Sequence, residues 1–346
     1  MSKFNLKDYS YDLPKDLIAK YPSSKREDSR LLILDRKSKT ITEGVFHQIS
    51  NFLSPNDVVV RNISKVIPAR IYGIRAATGG KVEILVLKLP QDNCPMPALI
   101  KTRGHIKKDE FILLPGNKRA LYCGKEEFHR IEFCFDNVLK YMEKYGQMPL
   151  PPYIKREPQV LDRDRYQTVY AKNPGSIAAP TAGLHFSSEF IRVLENKGVE
   201  FVDVNLDVSY GTFKPLSESD AESGRLHKEY FSLSPGAAES INRAKKENKR
   251  IVAVGTTTVR VLESQAYIEG QGARVKEGKG ETDLFIYPPY KFRIVDALIT
   301  NFHLPRSSLL FLASAFCGKD FLFSAYQHAV KAEYRFFSYG DCMFIQ

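Results

Sequence analysis

The sequence predicts an α/β protein that carries a second, small unit of antiparallel β structure. Three observations predict it. Beyond residue 150, apolar strand-like runs alternate with helix-like ones, the order that builds a sheet covered by helices. Between residues 66 and 149 the candidates are short strands, closely spaced and punctuated by Gly and Pro, as in a small barrel or sandwich. The run Met148–Pro149–Leu150–Pro151–Pro152–Tyr153 reads as a stiff linker at a boundary.

Each element has its own local reason. Arg30–Arg36 reads as a strand, Phe46–Leu53 as a short helix, and Asp57–Arg61 as a strand entered through the turn Ser54–Pro55–Asn56. Ala69–Ala76 and Lys81–Leu89 form a hairpin about Thr78–Gly79–Gly80. Short strands follow at Ala98–Lys101, Phe111–Leu114, Ala120–Cys123 and Arg130–Phe135, closed by a helix at Asn137–Tyr145. Ser187–Lys197 is a helix that Gly198 stops, and Glu200–Val208 a strand. Pro235–Lys249 is a helix with Ala237, Ile241 and Ala244 on one face and a basic last turn. Ile251–Val254 is a strand, Thr256–Tyr267 a helix, and Glu269–Glu281 a surface loop. Strands at Asp283–Tyr287 and Ile294–Thr300 precede helices at Ser307–Phe316 and Asp320–Tyr334.

Composition narrows the class. At 346 residues, with 43% hydrophobic and 26% charged residues, the chain is long enough for a sizeable core. No run approaches the roughly 18 apolar residues of a membrane span. Met1–Pro14 lacks the apolar centre of a signal peptide, so a cytoplasmic protein without a membrane partner is expected. The 5 cysteines (Cys94, Cys123, Cys134, Cys317, Cys342) form no C-x-x-C pair and fit reduced thiols. A net charge of +11 is compatible with a polyanionic partner.

Stock motifs are missing. Gly270–Gln271–Gly272 lacks the third glycine of a dinucleotide fingerprint, and Gly278–Lys279 is not a phosphate loop. There is no G-x-S-x-G elbow. His227–Lys228–Glu229 resembles the H-x-E of zinc deaminases without its cysteine half. What remains is a set of polar turns at expected strand ends: Ala178–Phe186, Asp207–Phe213, His227 with Glu229, Val254–Arg260 and Thr300–Pro305. Ligands of open α/β sheets collect outside the carboxyl ends of strands. Free N–H groups at helix starts favour anions, so Gly255–Thr256–Thr257 suits a carboxylate or phosphate, with Arg260 nearby. Singly, each turn reads as blandly as a helix cap or a satisfied histidine. His185, His227 and His303 have no i, i+4 spacing, so no metal is expected.

Motifs in order along the chain resemble the S-adenosylmethionine:tRNA ribosyltransferase-isomerases of queuosine biosynthesis. They run from YDLPKDLIAKYP, SRLLILDR, VIPARIYG and GGKVEILVL through YQTVYA, AAPTAGLHF, GTFKP and LHKEYF. They continue as AVGTTTVRVLES, TDLFIYP, DALITNFHLPRSSLL and YRFFSYGD. The resemblance implies a large α/β domain with an inserted small antiparallel β-barrel: residues 1–65 and 150–346 against 66–149. It also implies a reaction. The ribosyl part of S-adenosylmethionine, a co-substrate, moves onto 7-aminomethyl-7-deazaguanine at the tRNA wobble position. It rearranges to give epoxyqueuosine, with release of adenine and methionine. A monomer without prosthetic group or metal is expected.

The implied chemistry needs a base for the proton on the carbon beside the sulfonium. It also needs a proton or hydrogen bond for departing adenine, and partners for the methionine ammonium and carboxylate. His185 and His227 are the acid/base candidates, because imidazole titrates near neutrality. Asp207, Glu229 or Asp283 would hold the sulfonium or ammonium. Gly255, Thr256, Thr257 and Arg260 would hold the carboxylate. Asn301 and His303 would address adenine or ribose, and Pro180, Thr181 and Gly183 would wall the co-substrate pocket. Arg70, Lys101, Arg103, Lys155 and Arg156 are expected on tRNA phosphates. Phe186 or Tyr170 would flank the extruded base. The chain departs from the family pattern at Asn62–Ile63–Ser64–Lys65 (usually N-D-T), at Leu206–Asp207–Val208–Ser209 (usually L-H-V-G), and at Pro289, usually glycine. A non-catalytic or altered-substrate tRNA-binding relative is the alternative. An ordinary methyltransferase is disfavoured by the missing Gly-rich first turn.

Overall fold

The computed structural model describes residues 5–89, 94–213, 216–270 and 272–346. Lys214 and Pro215 of the GTFKP motif, and Gln271 between its glycines, lie outside the described residues. The chain begins its main sheet with Arg30–Asp35 (β1), Thr40–Val45 (β2) and Asp57–Asn62 (β3), then makes the short Ser64–Val66 (β4). A barrel follows: Arg70–Arg75 (β5), Lys81–Val86 (β6), Met96–Thr102 (β7), Glu110–Leu114 (β8), Lys118–Lys125 (β9) and His129–Phe133 (β10). Helices Val138–Tyr145 (α1) and Asp162–Arg165 (α2) lead to Asn173–Ser176 (β11). The remainder alternates as Ser188–Asn196 (α3), Glu200–Leu206 (β12), Glu218–Ser223 (α4), Arg225–Leu233 (β13), Pro235–Lys246 (α5), Arg250–Val254 (β14) and Thr256–Ser264 (α6). It closes with Ala266–Glu269 (β15), Gly272–Val275 (β16), Gly278–Leu284 (β17), Ala297–Asn301 (β18), Ser308–Cys317 (α7), Lys319–Lys331 (α8) and Cys342–Ile345 (β19).

The main sheet has nine strands in the order β17-β13-β12-β3-β14-β18-β19-β1-β2. Its centre, β12, β3, β14 and β18, is parallel. Those strands are buried on both faces, which is why Val58, Val59 and Val60 form an unbroken apolar run. One apolar cluster packs α5, α6, α7 and α8 against one face, and a second packs α3 and Phe46 against the other. The six barrel strands close in the order β10-β7-β6-β5-β8-β9, around a separate core that α1 completes with Tyr141 and Met142. The chain leaves for the barrel through β4 and returns through β11, and these two pair in parallel. The expected α/β architecture with an inserted antiparallel barrel is therefore what the chain forms.

Some local expectations fail for identifiable reasons. Residues 269–281 do not form a loop: β15 and β16 make a hairpin and β17 joins the sheet edge. The helix expected to reach Tyr267 ends at Ser264, and β15 begins at Ala266. The short helix expected over Phe46–Leu53 does form, as a 3-10 helix over Phe46–Asn51. His227 and Glu229 lie within strand β13, not in a turn. β13 escapes the alternation rule because it points a carboxylate, Glu229, inward, and Arg260 pairs with it. Among the described residues no single helix is long and apolar enough to cross a membrane.

Candidate active site

Turns beyond the carboxyl ends of the parallel strands enclose two adjoining chambers. Pro180, Thr181, Gly255, Thr256, Thr257, Asn301 and His303 line the first, so seven of the residues expected around a co-substrate meet in one place. Ser209, Gly211, His227, Glu229 and Arg260 line the second. Thr256, Thr257 and Leu309 belong to both walls.

The floor between them is the start of α6. Gly255 turns the chain from β14 into the helix at φ +86° and ψ 154°, a conformation open to glycine almost alone. No side chain caps this N-terminus, and Thr256 and Thr257 present it to both chambers. Its first-turn N–H groups and helix dipole therefore face the space a ligand would fill, an anion-binding arrangement. Asn62 steadies it. Its Nδ2 donates to Leu206 O at 2.9 Å and Thr257 Oγ1 at 3.3 Å, and its Oδ1 accepts from Leu206 N at 3.0 Å.

The second chamber holds an internal charge pair. Glu229, 3% exposed, accepts from Ser209 N at 2.8 Å and pairs with Arg260 Nη1. Arg260 also donates to Leu284 O at 3.1 Å and Thr282 O at 3.3 Å. Its guanidinium is thus spent on Glu229 and the sheet edge, so the α6 N-terminus rather than Arg260 is placed to meet a carboxylate. His227 is exposed at the chamber's outer wall. Its ring rests on Gly211, where a Cβ would come within 2.7 Å of Cδ2.

His185 does not match its expected role. It is 4% exposed and lines neither chamber. Nδ1 lies 2.7 Å from Ser29 Oγ and Nε2 lies 3.1 Å from Asn301 Nδ2. Burial and the nearby Arg335 and Arg26 push its pKa down to about 3. A neutral ring with both nitrogens engaged orients Asn301; it has no free lone pair for a substrate proton. Asn301 Nδ2 also donates to Phe337 O at 3.2 Å. His303 is likewise neutral, pushed to about 3 by burial, with Nε2 2.8 Å from Thr300 Oγ1.

Three further expectations are corrected by position. Asp207 lines neither chamber; it accepts from Ser64 Oγ at 2.8 Å and Asn205 Nδ2 at 3.0 Å, and burial raises its pKa. The departures at Ser64 and Asp207 are therefore partners of each other. Asp283 pairs with Arg225 at 3.1 Å on the outer strands, away from both chambers. Gly183 is a packing glycine, since a Cβ there would stand 2.0 Å from Tyr170 Oη.

Outside the chambers, two grooves of about 550 Å³ each run along the junction of barrel and sheet. Arg70, Lys101, Lys155 and Arg156 line the first. Three of these already have a carboxylate partner: Arg70 and, at 3.8 Å, Lys101 pair with Glu83, and Arg156 grips the buried Asp162 at 2.7 and 2.8 Å. Lys101 and Lys155 are exposed, as is Arg103 outside the groove. Lys88, Phe128, Arg130, Tyr210, Gly211 and His227 line the second groove, so His227 stands between it and the inner chamber. Phe186 and Tyr170 face neither groove. Phe186 is 1% exposed among Phe46, Phe190 and Phe201, and Tyr170 is buried beneath Arg61.

Sequence reasoning missed Tyr153, Ser307, Phe337 and Ser338 in the first chamber. Tyr153 Oη and Ser338 Oγ lie 2.6 Å apart. Their signals were present: Tyr153 in the proline-rich run read as a linker, Ser307 at the start of an expected helix, and Phe337 and Ser338 in the YRFFSYGD motif, to which no role was given. Among the described residues no three His, Cys, Asp or Glu cluster as a metal site would require.

The family model described as "Queuosine biosynthesis protein" matches residues 6–345. The S-adenosylmethionine:tRNA ribosyltransferase-isomerase of Sulfurihydrogenibium sp. (strain YO3AOP1) is 45% identical over 341 residues, covering 98% of this chain and 99% of that one. Its counterpart from Carboxydothermus hydrogenoformans is 47% identical over 343 residues, with the same coverage. A crystal structure of S-adenosylmethionine tRNA ribosyltransferase from Thermotoga maritima superposes with TM-score 0.56 at 35% identity, covering 98% of this chain and 100% of that one.

Proposed function

The chain belongs to the queuosine biosynthesis family of S-adenosylmethionine:tRNA ribosyltransferase-isomerases, and from that premise we propose how its residues divide the reaction. S-adenosylmethionine occupies the two chambers. Its methionine carboxylate sits on the N–H groups at the start of α6, from Gly255 to Thr257, where the helix dipole favours an anion. Its sulfonium lies near Glu229, and its adenine lies in the first chamber beside Asn301 and His303.

His227 is the general base. It takes the proton from the ribosyl carbon beside the sulfonium, whose positive sulfur stabilises the electron pair left behind. The amine of 7-aminomethyl-7-deazaguanine on tRNA receives the rearranged ribosyl unit, and adenine and methionine depart, giving epoxyqueuosine. The observation that carries this reading is the position of His227, on the wall shared by the inner chamber and an outer groove large enough for a nucleotide. Residues 66–149 act as a barrel domain that, with the exposed Lys101, Arg103 and Lys155, receives the tRNA. The protein works as a cytoplasmic monomer.

The test uses S-adenosylmethionine labelled in the ribosyl unit, with tRNA bearing the precursor base. Adenine release with label on the tRNA is expected. Binding of both substrates without release would favour a non-catalytic relative, and formation of S-adenosylhomocysteine would overturn the reading.

A further inference from the structure

We infer that Tyr210 is the platform on which the extruded wobble nucleobase stacks, an inference that rests on the tRNA-modifying reading above. Among the described residues Tyr210 alone lines both outer grooves, so it stands where one passes into the other. Its neighbours complete the geometry. Ser209 and Gly211 line the inner chamber as well as the second groove, and Gly211 carries the His227 ring on its backbone. A base stacked on Tyr210 is thus one residue away from the surface that holds the base catalyst.

The chemistry asks for such a side chain. The reacting amine hangs from a nucleobase that must leave its own stack, which costs a few kcal/mol. Aromatic stacking returns that cost for any base face, and single-stranded RNA is held this way. Tyr210 is built for it. The side chain is half-buried, packed on one side against the barrel core, with the rest turned to the grooves. Phe186 and Tyr170 are excluded by burial in the sheet's core. Lys88, Arg130 and Lys101 line the same two grooves beside Glu83, Glu126 and Glu127; Arg130 pairs with Glu126 at 3.3 Å and Lys101 with Glu83 at 3.8 Å, solvent-facing pairs weak enough for a phosphate backbone to displace.

The experiment measures turnover with an anticodon stem-loop carrying the precursor base, for the wild type and for Tyr210→Leu, Tyr210→Ala and Tyr210→Phe. Leucine preserves the packing on the barrel core but removes the aromatic face. The expected result is a rise in KM for the stem-loop of about tenfold or more in the leucine and alanine variants. Phenylalanine recovers most of that loss, and the affinity for S-adenosylmethionine alone does not move. A stem-loop bearing 2-aminopurine at the wobble position should lose fluorescence on binding the wild type and keep it with Tyr210→Leu. An unchanged KM in Tyr210→Leu, or an equal loss in Tyr210→Phe, overturns the assignment. Wild-type protein that releases no adenine with this stem-loop overturns the underlying reading instead, so the two failures are distinct.

Discussion

A histidine after a Gly- and Pro-containing turn looks like a catalytic base, and His185 shows why the sequence misleads there. Its partners, Ser29 and Asn301, are 156 and 116 residues away, so nothing local reveals that both ring nitrogens are engaged. The same burial makes a pH prediction. His185 and His303 are held at about 3 in the fold, against 6.5 ordinarily. Below that ordinary value the unfolded chain binds protons that the folded chain refuses. Stability is therefore complete above about pH 6.5 and is lost as pH falls toward about 3, by about 1.4 kcal/mol per pH unit for each ring. Urea unfolding between about pH 7 and pH 5 measures it, and His185→Gln should flatten the slope by about one ring's share. An unaltered slope would show that the His185 ring binds protons equally in the folded and unfolded chains. His227, by contrast, was legible as a histidine beside a glutamate, but not as a strand residue facing a groove.

At the scale of elements, what the sequence revealed were features with local causes. The valine run of β3 announces a strand buried on both faces, and Gly255 announces a turn into α6. What stayed hidden depends on distant partners. β13 carries an inward Glu229 that pairs with Arg260, 31 residues on, and accepts from Ser209 N, and Arg260 is thereby withdrawn from the ligand. The anion site proposed at the α6 N-terminus can be tested alone. Gly255→Ala places a Cβ 3.6 Å from Ala182 Cβ, an ordinary contact, but forces a side chain into backbone angles that cost about 1–3 kcal/mol. Affinity for S-adenosylmethionine, read by calorimetry, should fall about tenfold as the first turn reorients. Full affinity in this variant would move the carboxylate elsewhere.

On the scale of the whole molecule, the inserted barrel creates the grooves, and the parallel sheet creates the chambers. The sequence showed both units, because helix-period and strand-period patterns separate at the proline-rich run, but not how their junction is used. Net charge was a poor guide to that surface. Arg70, Lys101 and Arg156 were expected on phosphates, yet each has a carboxylate partner, and of the expected cations Lys101, Arg103 and Lys155 are the exposed ones. The proposed meeting point of the two substrates is His227, at the wall between chamber and groove. Single-turnover adenine release by His227→Ala, with both substrates saturating, tests it most directly. A fall of about a hundredfold or more, with the affinities for S-adenosylmethionine and tRNA retained, is the predicted result. Release at the wild-type rate would contradict it and send the search for the base elsewhere in the chambers.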